Sequence, residues 1–172
     1  GGLDIPDGYA EQGSHHVLYI LKHVRCQTVV GNYLLTLLQW THMNSGYVHP
    51  PLSSKALPMP HVYAPWVTTT QAYLEETNCS LEISSLPPYD LPRQGDHSIL
   101  ELALRHHGQA ATLTLQRINA CRLYLQVTFL SDICIGDGRL IQARYFNLNS
   151  PPWPVVPGST GHTHLYPDPP AG

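Results

Sequence analysis

Imidazole can ligate metals and carry protons near neutral pH, so the eleven histidines of this 172-residue chain come first. His162-Thr163-His164 sets two rings two residues apart, which on extended backbone turns both to one side, and His15-His16 is a second pair. No carboxylate or cysteine stands at ligand spacing to complete either set, and solvated or stacked histidines are the competing reading. His106-His107 falls in the last turn of a predicted helix, where partial positive charge complements the dipole. Asp96, Asp132 and Asp137 could be pictured as a carboxylate cluster holding two cations. Asp137 sits in a glycine-flanked turn and Asp96 at a helix cap, so each has a structural role that accounts for it. No G-x-S-x-G elbow and no glycine-rich phosphate loop occurs. No catalytic, metal or cofactor residue is assigned, and the chain is not read as an enzyme.

The remaining chemistry is that of arginine toward phosphate. A formal net charge of −3 opposes a free-standing nucleic-acid binder. Yet Arg93, Arg105, Arg117, Arg122, Arg139 and Arg144 all lie after residue 92, against Asp96, Glu101, Asp132 and Asp137 up to residue 146. Arg105, Arg117, Arg122, Arg139 and Arg144 form the candidate nucleic-acid-binding set. Arg117 and Arg122 are roughly 140° apart around a helix and share no stripe. Arg122, nearer the buried side, needs an acid or a carbonyl partner, and an ion pair with Asp132 or Asp96 tying two helices together is the structural alternative.

Cys26, Cys79, Cys121 and Cys134 show no zinc or redox spacing; Cys26 and Cys121 read as small core residues, and two disulfides stay open if the chain is exported. Asn78-Cys79-Ser80 is an acceptor sequon, making Asn78 the candidate glycosylation site. The start at Gly1-Gly2 reads as an excised piece, and no signal peptide or membrane span is expected.

Charged residues make up 12% of the chain, about half the globular norm of roughly 25%, and 16 prolines accompany 13 glycines. So weakly charged a surface favours burial against a larger protein or against copies of itself. The expected fold class is mainly α, a small helical domain of about five helices with a short β-hairpin and long Pro-rich connectors. Residues 1–13 read as a linker, 14–146 as the helical domain and 147–172 as an extended Pro-rich tail. Ser14 is placed as N-cap of a first helix whose stripe Val17, Leu18, Leu21, Val24 is interrupted at Gly31. A second run, 30–44, puts Leu34, Leu37, Leu38 and Thr41 on the core face, with Tyr33 and Trp40 beside it, and stops at Asn44-Ser45-Gly46.

Prolines at 50, 51, 58, 60 and 65 make 48–65 an extended connector crossing the surface. Pro65 opens a third helix through Thr77, with Asn78 as its stop. Residues 80–83 alternate like a short strand. Asp96 is placed as cap of a fourth helix ending before Gly108, and Thr112 or Thr114 as cap of a fifth. The stripe of that fifth helix carrying Ile118 and Leu125 is expected to be enclosed at the domain's centre. Residues 133–141 have the turn chemistry of a hairpin. From Asn147 seven prolines in 26 residues predict an extended tail ordered only on a partner.

LPRQGDHSILELALRHHG followed by LQRINACRLYLQVTFLSDICIGDGRLI resembles a segment downstream of the polymerase core in reverse-transcriptase-like open reading frames of retroelements from algae and related eukaryotes. YLLTLLQWTHMNSG and LPMPHVYAPWVTTTQAYLEETNCSLEI are similar to that segment in the same order, so the resemblance spans about residues 15–142. It implies a mostly helical, thumb-like or connecting module that positions nucleic acid or neighbouring domains, inside the cell. Nothing matches a polymerase aspartate pair, and the tail from Asn147 has no counterpart. The alternative is a structural protomer, exported and glycosylated at Asn78, that buries its surface and tail against copies of itself. The partners expected are the rest of a larger polyprotein or copies of itself, with nucleic acid as a further candidate and no membrane.

Overall fold

The computed structural model describes residues 8–136, 140–142 and 145. It is mainly helical: α1 (Gly8–Arg25), α2 (Val29–Ser45), α3 (Pro65–Glu76), α4 (Ile99–His107), α5 (Thr112–Leu125), the single turn α6 (Leu130–Ile133), and an antiparallel hairpin β1 (Cys134–Ile135) and β2 (Leu140–Ile141). Cys134 pairs with Ile141 and Ile135 with Leu140, so the fold class and the hairpin agree with the sequence reading. The chain gathers into two compact units, Gly1–Met43 with His49–Tyr89, and Asn44–Val48 with Asp90–Gly172. Among the described residues no helix is long and apolar enough to cross a membrane.

In the first unit α1 starts at Gly8, six residues before the expected cap; Ser14 is interior, its hydroxyl donating to the Glu11 carbonyl at 2.8 Å. The stretch expected as linker therefore supplies a helical turn and a half, and Gly13 is why it packs. A Cβ there would sit 2.2 Å from the Tyr73 ring, so the missing side chain lets α1 approach α3. His16 completes that contact, with Nδ1 3.2 Å from the Thr70 hydroxyl and its ring 5.3 Å from Trp66. The break between α1 and α2 falls at Gln27, in left-handed conformation, rather than at Gly31. Thr28 then caps α2, its hydroxyl accepting from the Gly31 N–H at 3.0 Å.

Pro65 does open α3, and Asn78 ends it with φ 52°, its N–H donating to the Glu75 carbonyl. The connector before α3 differs from expectation. Pro50, Pro51, Leu52, Met59, Val62 and Ala64 are buried while Ser54, Lys55, Leu57 and Tyr63 are exposed, so this segment contributes to the core instead of only crossing the surface. With Lys55 its one charged residue it has little to keep in water, and local turns (Ser53 N–H to Pro50 carbonyl, Ala56 to Ser53, Val62 to Met59) satisfy its backbone. Residues 80–83 form no strand; Leu81 N–H donates to the Leu52 carbonyl at 2.8 Å.

In the second unit Ser98, not Asp96, caps α4, accepting from the Glu101 N–H while donating to the Gly46 carbonyl. Gly108 ends the helix with φ 76°. Neither Thr112 nor Thr114 caps α5: Ala111 holds that position without a side-chain bond, and both threonines are helical. Residues flanking α4 and α6 pair through Ile99 N–H to the Thr128 carbonyl and Leu130 N–H to the His97 carbonyl, both 3.0 Å. Leu100, Ala103, Leu104, Leu115, Val127 and Phe129 are the buried apolar residues around this joint.

Candidate functional site

Five arginines were the sequence's candidates for phosphate. Arg105, in the last turn of α4, and Arg117, on α5, are exposed. Arg139 and Arg144 lie outside the described residues, as do Asp137 and His162-Thr163-His164. Arg122 is a correction: it is 5% exposed. Its guanidinium donates to Asn119 Oδ1 from Nε and Nη2 (3.1 and 2.9 Å), to the Asn44 carbonyl at 3.3 Å and to the Thr128 hydroxyl at 3.4 Å. So bonded it is not presented to a phosphate. Gly46 makes room for it, since a Cβ at that residue, φ 67°, would lie 2.7 Å from Nε.

The same burial changes the reading of α5. Its inward line is Leu115, Asn119 and Arg122, while Ile118 and Leu125 are only half-buried. Two polar residues can hold the inner stripe because they bond to each other and to backbone. A capped loop surrounds them: Glu101 accepts from the Val48 N–H at 2.7 Å, and Tyr47 is buried, its phenol pushed above its ordinary range by burial and by the nearby Glu101 carboxylate.

The aspartates do not converge on an ion. Asp132 Oδ2 accepts from the Thr128 and Phe129 N–H groups (2.7 and 2.8 Å), capping α6, and Asp96 Oδ1 accepts from His97 and Ser131 N–H (2.8 and 3.3 Å). His15 is exposed while His16 is engaged by Thr70 and Trp66. Among the described residues no group of three or more His, Cys, Asp or Glu is placed to hold a metal ion. All four cysteines are free thiols. Cys26, expected in the core, is exposed beyond the end of α1, whereas Cys134 is buried. Asn78 is exposed, as an acceptor must be, beside a cleft of about 280 Å³ with Ser53, Ser54, Gln71 and Glu75 on its walls.

A further surface feature lies on α2. Leu34, Leu38 and Thr41 face inward as expected, but Leu37 does not join them. Val29 (69% exposed), Tyr33 (73%), Leu37 and Trp40 form a second, solvent-facing apolar stripe at spacings of four, four and three. A helix apolar on all sides is normally enclosed on all sides. That spacing was readable; which stripe would be covered was not. Where this face ends, Leu37 and Trp40 meet Tyr63, Ala64, Pro65, Trp66 and Val67 around a groove of about 170 Å³ whose walls are almost wholly apolar. Tyr63, between the buried Val62 and Ala64, stands 89% exposed.

No protein family, curated protein or solved structure matches the chain.

Proposed function

We propose that the chain is a non-catalytic helical connecting module of the kind its sequence resembles, and that it positions neighbouring polypeptide rather than gripping nucleic acid. The observation carrying this reading is the second apolar face of α2, on which Val29 and Tyr33 are largely exposed and Leu37 and Trp40 partly so. A contiguous exposed apolar surface in a chain with few charges is what a docking face requires. Burial of Arg122 supports the same choice by removing the centre of the arginine set, leaving Arg105 and Arg117 as the exposed phosphate contacts among the described candidates.

Two measurements test it. Anisotropy titration of a labelled duplex should show weak binding whose salt slope corresponds to about two phosphate contacts and is abolished in Arg105→Ala/Arg117→Ala. Tight binding with a slope of about four or more would replace this reading with a nucleic-acid clamp. The double variant Val29→Asp/Tyr33→Asp should keep its helical dichroism and unfold within about 0.5 kcal/mol of the parent, as surface changes do. A large loss of stability would make the stripe core and remove the docking face.

A further inference from the structure

We propose that the groove lined by Leu37, Trp40, Tyr63, Pro65 and Trp66 receives the proline-rich segment 151–157 of a second copy of this chain, joining copies tail to groove. The inference rests on the polypeptide-docking reading above and names the polypeptide. Its first support is the chemistry of the walls: three aromatic rings and a proline with almost no polar surface. Such a groove offers no acceptors, so an occupant must bring few N–H groups and no charge. Aromatic-lined grooves take proline-rich segments in the polyproline II conformation.

The second support is the chain's own sequence. Residues 151–157 read PPWPVVP, where Pro151, Pro152, Pro154 and Pro157 carry no N–H, and no charged residue occurs between Arg144 and Asp168. Pro151 and Pro154, then Pro154 and Pro157, are spaced one polyproline turn apart. The third support is electrostatic: at a formal charge of −3 with 12% charged residues, copies repel one another weakly. Every molecule carries both halves of the contact in its sequence, and unlike partners joined head to tail make open chains of copies rather than a closed pair.

The test uses the full chain and its mass in solution across about 1 to 200 μM, by sedimentation equilibrium. Mass should rise continuously with concentration. Tyr63→Ala removes an 89% exposed ring without opening the core, and Pro151→Ala/Pro154→Ala/Pro157→Ala alters only the segment. Each should move association to about tenfold higher concentration with helical dichroism unchanged. Mixing the two variants should restore a mixed complex, because each keeps the half the other lacks. A wild type that stays monomeric, association indifferent to either variant, or no mixed complex overturns the proposal. A monomer leaves the docking reading standing, since that is decided by the α2 and duplex measurements.

Discussion

Arg122 shows how far a residue's role depends on neighbours remote in sequence. Its type suggests phosphate, and its helical position suggests an internal ion pair with Asp132 or Asp96. What holds it includes the Asn119 amide one turn earlier and the Asn44 carbonyl 78 residues upstream. Removing the side chain would strand buried acceptors and leave a cavity, so Arg122→Ala should cost about 3 kcal/mol in urea unfolding. Arg122→Lys should recover only part of this, because an ammonium cannot serve Asn119 and Asn44 through one planar fork. A loss under about 1 kcal/mol for Arg122→Ala would show that the network contributes little to the fold.

Elements fare differently according to how local their signals are. Pro65 at the start of α3, Asn78 after its end, Gly108 after α4 and the hairpin were legible because each depends on backbone preferences within a few residues. Caps were less so. Ser98 and Asp96 are equally good N-cap types two residues apart, and the Gly46 carbonyl awaiting the Ser98 hydroxyl selected between them. Asp96 instead joins the approach to α4 with α6. Burial raises its carboxyl, but hydrogen bonds from Ser131 and His97 outweigh that and hold it below the ordinary 3.8. A carboxyl so lowered contributes fully above its unfolded value and loses that contribution as pH falls through its folded value. The stability gap between wild type and Asp96→Asn should therefore be constant from pH 7 to 5 and close below about pH 4. Urea midpoints differing as much at pH 3 as at pH 6 would contradict the assignment.

At the scale of the molecule, exposure sorts side chains that look alike in the sequence. Cys26 and Cys79 are exposed, Cys121 is half-buried and Cys134 buried, so native thiol titration should find two fast groups, one slower and one that reacts only on unfolding. Rapid reaction of all four in the native protein would mean that the hairpin does not shield Cys134. Exposure likewise divides α2 into a covered and an open stripe, and places Pro50, Pro51, Leu52, Met59, Val62 and Ala64 of the proline-rich connector among the buried residues.

Local spacing by itself determined the mainly helical class, the helix ends at Pro65, Asn78 and Gly108 and the hairpin, since hydrogen bonding and φ/ψ preferences act within a few residues. Tertiary contact decided which apolar stripe of α2 faces water, that Pro50, Leu52, Met59, Val62 and Ala64 of the connector are buried, and that Arg122 points inward. When both faces of a helix are apolar, or a cation can be satisfied by amides and carbonyls far along the chain, periodicity carries no information about which arrangement buries more surface with every polar group paired.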